Sequence, residues 1–172
     1  MSGIITDNLG RSTGLIKSAG GGGKVLQVVQ TVETDDSSMS SATFADIGIS
    51  ADITPTASSS KILVIATLDV GGDGGARGGL RLVRDSTDVL LADAAGSRTR
   101  ASVTTAPASN AYTVHPNITY LDSPSTTSAT TYKLQASIEG SNTIYLNRTE
   151  TNTDSSDFYR GASTLTLMEI GA

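Results

Sequence analysis

Tyr132-Lys133-Leu134-Gln135-Ala136-Ser137-Ile138-Glu139 decides the fold class. Its ring and its aliphatic side chains fall on even numbers and its polar ones on odd numbers, a period of two. Successive side chains of a β-strand point to opposite faces, so this stretch buries one face and wets the other. The same period extends outward along the chain. Ile47, Ile49, Ala51 and Ile53 alternate with Gly48, Ser50, Asp52 and Thr54 and stop at Pro55. Residues 24–34 read as a β-branched strand, and after a turn at 57–60 residues 61–70 form the most apolar strand of the chain. Residues 80–84 and 88–92 flank Asp85-Ser86-Thr87 as a hairpin. Residues 112–121 form a strand that Pro116 demotes to an edge or a bulge. Residues 143–147 are expected to pair back onto 132–138 across Gly140-Ser141-Asn142, and 163–170 close the chain with Leu165 and Leu167 opposite Thr164 and Thr166. Nine or so short strands without a helix predict an all-β fold, an antiparallel jelly-roll sandwich preceded by an extended N-terminal arm.

Two domains follow from this reading. Residues 1–23 carry Ile4, Ile5, Leu9, Leu15 and Ile16, with Gly3, Gly10 and Gly14 breaking any helical stripe and the run 20–23 acting as a glycine hinge. These five aliphatics lie outside the β pattern, which suits an arm that orders against a partner. Residues 24–172 are the sandwich. No basic start with a long apolar run opens the chain, so a signal peptide is not expected, and the apolar run 62–66 is too short to cross a bilayer.

Composition excludes several functions. The 172 residues hold 24 Thr, 23 Ser and 18 Gly, no Cys, no Trp and a single His, with a net charge of −5. An acidic chain without a basic run lacks the phosphate-neutralising surface that nucleic-acid binding needs. Absence of cysteine removes disulfides, thiolate zinc sites and a thiol nucleophile. Thr fits pleated surfaces and Ser fits loops, so the surplus of both agrees with the strand pattern.

The candidate chemical motifs are weak. The glycines at 20–23 with Lys24 resemble part of a phosphate loop, but Val25 stands where the magnesium-binding Ser or Thr belongs, and a strand rather than a helix follows. The glycine-rich stretch 71–79, with Asp69 and Asp73, and the stretch 153–157, with Asp154 and Asp157, carry a faint calcium suggestion, but both read as flexible surface loops without ligand-dense spacing. His115 precedes Pro116 with no acidic neighbour in sequence and no nucleophile elbow to serve. Seven aromatics and no Trp supply a sugar-cleaving cleft poorly. Asn117 and Asn147 open glycosylation triplets of the kind a Ser- and Thr-rich chain yields by chance. No catalytic residue, cofactor or metal is therefore expected, and the chain is not read as an enzyme.

One strand bears on assembly. Along 61–70 the even positions Ile62, Val64, Ala66, Leu68 and Val70 belong to the core, while the odd face carries Leu63 and Ile65 between Lys61, Thr67 and Asp69. An apolar centre with a polar rim reads as a subunit interface, so Leu63 and Ile65 are the expected trimer contact.

Four stretches resemble virion proteins of tailed bacteriophages of the marine type. They are MSGIITDNLGRSTGL at 1–15, ITPTASSSKILV at 53–64, YLDSPSTTSATTYKL at 120–134 and STLTLMEI at 163–170. The resemblance covers most of the chain and includes no catalytic motif. It implies a short attachment arm and a jelly roll similar to the trimeric heads of the C1q and tumour-necrosis-factor class. On this reading the chain is a homotrimeric knob, short fibre or decoration protein, made in the host cytoplasm and located on the virion. Its partners are its own copies and a capsid or tail protein held through the arm. With no collagen-like or coiled-coil stalk before the β module, a short knob fits better than a long fibre. The alternative is a host-receptor or glycan-binding tip using loops 71–79, 97–110 and 149–160, with the host surface as partner. Neither reading involves nucleic acid or membrane insertion.

Overall fold

The computed structural model describes residues 23–171. The arm, with Ile4, Ile5, Leu9, Leu15 and Ile16, lies outside the described residues except for Gly23. Twelve strands follow: β1 (Lys24–Glu33), β2 (Ser37–Met39), β3 (Ala45–Ile53), β4 (Lys61–Thr67), β5 (Val70–Gly72), β6 (Gly78–Arg84), β7 (Thr87–Val89), β8 (Val103–Thr105), β9 (Asn117–Asp122), β10 (Thr130–Ile138), β11 (Ile144–Leu146) and β12 (Ser163–Gly171). There is no helix among the described residues.

The strands form one sheet in the order β1-β12-β4-β9, a second in the order β3-β10-β6-β7, and a small third in the order β2-β11-β5. Setting aside the small sheet and β8, the pairing is nested. The first strand pairs with the last (β1 with β12), β3 with β10, β4 with β9, and the innermost two, β6 and β7, form a hairpin. A long hairpin rolled up in this way is a jelly roll. β8 pairs with residues 78–80 of β6 and β7 with residues 82–84, so two short strands share one edge of β6 and residues 90–102 make an excursion between them.

Alternation places the core as the sequence predicts. β10 buries Tyr132, Leu134, Ala136 and Ile138, β3 buries Ile47, Ile49, Ala51 and Ile53, and β4 buries Ile62, Val64 and Ala66. One row of the first sheet's inner face nonetheless carries three polar residues around Ile62, running Gln27, Glu169, Ile62, Asp122 across β1, β12, β4 and β9. Both carboxylates are buried and both reach beyond their sheet. Asp122 Oδ2 accepts from the Tyr132 hydroxyl at 2.7 Å and from Arg84 Nη1 at 2.6 Å, which ties β9 to β10 and β6. Burial, together with that bond, pushes the Tyr132 phenol above its ordinary range. Glu169 accepts from Thr56 N at 2.7 Å, Thr56 Oγ1 at 2.6 Å and Gln27 Nε2 at 2.7 Å, which pins the segment leaving β3.

Several expectations need correction. Residues 61–70 are not one strand: β4 ends at Thr67 and β5 begins at Val70 in the small sheet. Parity survives the break, since Leu68 and Val70 are buried, but Asp69, expected on the wet face, is buried too. β11 does not return onto β10; it pairs with β2 and β5. Residues 71–79 are not a flexible loop, because Gly71 and Gly72 lie in β5, Gly78 and Gly79 in β6, and Ala76 is buried. Gly71 is required there, since a Cβ would collide with the Arg148 carbonyl. The strand expected over 112–121 starts only at Asn117, with Val114 bridged to Val70 ahead of it, and Pro116 sits outside it as its chemistry demands. β2 and β8 had no counterpart in the sequence reading.

The small sheet is the first sheet continued past a break. β2 follows β1, β5 follows β4, and β11 precedes β12 along the chain. Asn147 holds the break. It is fully buried at φ 60°, a left-handed conformation that Asn tolerates better than most residues. Its Nδ2 donates to Glu33 O at 2.9 Å and Asp35 O at 2.8 Å, and its backbone N donates to Asp69 O at 2.8 Å. Its Oδ1 accepts from Ser163 Oγ at 2.6 Å, and that hydroxyl in turn accepts from Asp69 N at 3.0 Å. One residue thus reaches all three interrupted strands, its side chain at the β1–β2 break and at the Ser163 hydroxyl, its backbone N at the β4–β5 break.

Two predictions follow. Asn147→Ala removes the donors to the Glu33 and Asp35 carbonyls and keeps a left-handed backbone, so urea denaturation should show a loss of about 2 kcal/mol, of which Asn147→Gly recovers only the backbone part. The second concerns Glu169, for which burial alone would raise the carboxyl pKa, yet the bonds from Thr56 and Gln27 outweigh burial and lower it from 4.5 to about 2. A lowered folded value means the contribution is complete above pH 4.5 and lost as pH falls through about 2. Between those values the urea midpoint of the native chain should fall more steeply than that of Glu169→Gln.

Candidate functional site

The expected interface residues sit on the outward face of the first sheet. Leu63 lies in an apolar row that crosses all four strands, Val28 on β1, Met168 on β12, Leu63 on β4 and Leu121 on β9. Val28 is 55% exposed and Leu121 48%, while Leu63 between them is half-buried. Ile65 occupies the next row, between Thr166 and Thr119, where Gln30 Nε2 donates to Thr166 Oγ1 at 2.8 Å. β1 carries aliphatics on both faces. Val29 packs against the core between Gln27 and Thr31 on its inward side, whereas Val28 and Val32 face outward on either side of Gln30 and are exposed. The sequence reading named Leu63 and Ile65 and missed Val28, Met168 and Leu121. The available signal was that residues 24–34 carry aliphatics on both faces, so neither face was written for water.

A second feature gathers residues that the sequence keeps apart. His115 Nε2 lies 3.1 Å from Asp69 Oδ1, so the lone histidine does have an acidic neighbour, brought to it by the break between β4 and β5. His115 is 63% exposed, and the Asp69 carboxylate is almost wholly buried. Gly161 packs directly on that carboxylate, where any Cβ would collide with it. Nearby, Asp36 is held between Arg160 and Arg148, with Arg148 Nε 2.7 Å from Asp36 Oδ2. Arg160, then Arg148, keep the Asp36 carboxyl below its ordinary range against the opposing effect of burial. Arg148 itself stacks on the Tyr145 ring at 4.0 Å.

The remaining motifs are absorbed by the fold. Asp73 does not join Asp69; its Oδ2 accepts from Thr143 N at 2.8 Å. Asp157 is exposed and bonded within its own turn to Ser155. Among the described residues no three His, Cys, Asp or Glu side chains converge as a metal site would require. Asn147, buried and fully bonded, offers no amide for glycosylation, whereas Asn117 is exposed. No hydroxyl hydrogen-bonds to the His115 ring among the described residues.

No family model and no curated protein matches the chain. Two solved structures with some likeness are a structure of the infectious bursal disease virus Gx strain and a crystal structure of the infectious bursal disease virus VP2 subviral particle. The first is 12% identical with a TM-score of 0.40, covering 84% of this chain and 39% of that one. The second is 12% identical with a TM-score of 0.37, covering 84% of this chain and 40% of that one. The chain thus spans about two fifths of the length of either. Likeness of this order assigns neither family nor function; the jelly-roll topology rests on the strand pairing itself.

Proposed function

We propose that the chain is a non-enzymatic virion structural protein, a homotrimeric knob, short fibre or decoration protein held on a phage capsid or tail by residues 1–23. The observation that carries this reading is the apolar row Val28, Met168, Leu63, Leu121 on the sheet's outward face. A monomeric sandwich gains nothing by presenting such a row to water, and a symmetric assembly buries it. The bacteriophage resemblance of the four quoted stretches supports three copies and an attachment arm. The arm's chemistry fits as well, because five aliphatics ahead of a glycine hinge can bury in a partner without distorting the sandwich.

The test of the trimer is the double variant Leu63→Asp with Ile65→Asp. Buried unpaired carboxylates cost several kcal/mol per subunit, so this chain should run as a folded monomer by light scattering after gel filtration, with unchanged β content by circular dichroism. Val64→Asp, on the core face, should instead unfold the chain. A double variant that still weighs three chains places the contact elsewhere. The test of the arm is deletion of residues 1–19, which should leave a folded trimer that no longer decorates particles lacking the native protein. Undiminished particle binding by the truncated chain would count against attachment through this segment.

A further inference from the structure

We propose that the cleft over the break between β4 and β5 is a binding site for a neutral oligosaccharide. This inference is independent of the trimer reading, since it rests on a different part of the surface. The cleft has a volume of about 490 Å³ and is lined by Asp69, His115, Tyr112, Tyr159, Arg160 and Gly161, among others. Tyr159 and Arg160 also line an adjoining hollow of about 260 Å³ in the connection from β11 to β12, so the surface is an extended groove. A volume of this size lies in the range that small-molecule sites occupy.

The chemistry of the lining selects the ligand class. Tyr112 is 67% exposed and Tyr159 80%, so both rings are open to a ligand in the cleft. They are two of only five tyrosines in a chain without Trp, and both line one cleft. Their rings offer flat apolar faces, and their hydroxyls both donate and accept. The Asp69 carboxylate is an acceptor whose Oδ1 has only the exposed His115 ring beside it, so its accepting capacity is not filled. Asp69 is also fixed in place, by Ser163 on its backbone N and by Gly161 against its carboxylate. Arg160 supplies donors, and it shares the single carboxylate of Asp36 with Arg148, which leaves positive charge at the wall. Donors, a rigid acceptor and aromatic faces in one groove match a ring of hydroxyls with an apolar C–H face. An anion would meet the Asp69 carboxylate at the cleft floor, and a cation would meet Arg160 at its wall. A neutral polyhydroxylated ligand meets neither cost.

The experiment is saturation-transfer difference NMR on the full chain with maltotriose, cellotriose, chitotriose and an α-linked mannotriose, with choline and inorganic phosphate as charged comparators. At least one trisaccharide should receive saturation from the native protein. Affinity for it should fall about tenfold or more in Tyr159→Ala and in Tyr112→Ala, both exposed positions at which circular dichroism should show an unchanged fold. Tyr159→Phe, which keeps the ring, should retain most of the binding. No transfer to any of the four sugars would overturn the proposal, as would transfer that both alanine variants leave intact. Binding confined to choline or to phosphate would equally overturn it.

Discussion

The side chain of Asn147 is the constraint on which the shape of this protein depends. Three strands of the first sheet stop at the same level and restart in another sheet, leaving backbone groups that a continuous ladder would have satisfied. The buried Asn147 amide gives both donors to the Glu33 and Asp35 carbonyls and accepts from the Ser163 hydroxyl, while its backbone N meets Asp69 O. Interrupting a sheet in the interior is affordable only where each freed carbonyl finds such a partner. The cleft exists for the same reason. Asp69 turns inward at the break, and the connection between β11 and β12 arches over it to bring Tyr159, Arg160 and Gly161 alongside.

The opposite end of the sandwich is fixed by a different means. The row Gln27, Glu169, Ile62, Asp122 puts two carboxylates where a purely apolar core would have none. Asp122 fastens β9 to Tyr132 and Arg84 of the second sheet, while Glu169 bonds Gln27 within its own sheet and Thr56 in the segment leaving β3. The sandwich is thus pinned at one end by carboxylates and shaped at the other by an amide, with the aliphatic layers between supplying the bulk of the burial.

How much of this was legible in the sequence depends on what each signal encodes. Alternation encodes which face a residue occupies, so Ile47 to Ile53, Tyr132 to Ile138 and Leu165 with Leu167 were read correctly. It does not encode which strand lies alongside. Ile62 through Val70 kept their parity across the break, and nothing in that pattern revealed that the ladder partner changed at Leu68 and Asp69. β11 was misplaced for the same reason, because a short connection through Gly140 made return onto β10 the simpler guess. β2 and β8 are too short for periodicity to register. Charge misled at Asp69, read as solvent-facing because isolated carboxylates usually are. The cleft was legible only in part: loop 149–160, which holds Tyr159, was named as a contact surface, but its meeting with Tyr112, His115 and Asp69 comes through the roll of the chain. The apolar outward face was half legible, in the aliphatics that residues 24–34 carry on both sides.

The nested pairing also sets an order in time. β1 finds its partner only in β12, with Lys24 opposite Gly171, and β12 is the strand that joins β1 to β4. A chain emerging from the ribosome therefore holds its first strand unpaired until its last is released. Only the innermost hairpin, β6 with β7, can close early from neighbouring residues. Folding of such a topology waits on non-local closure and is slow by comparison with helical chains of this size. Throughout that wait the edge of β1 and its valines stay open to other nascent chains, the circumstance in which aggregation competes with folding. The net negative charge of −5 works against that competition, keeping unfinished copies apart until the last strand arrives.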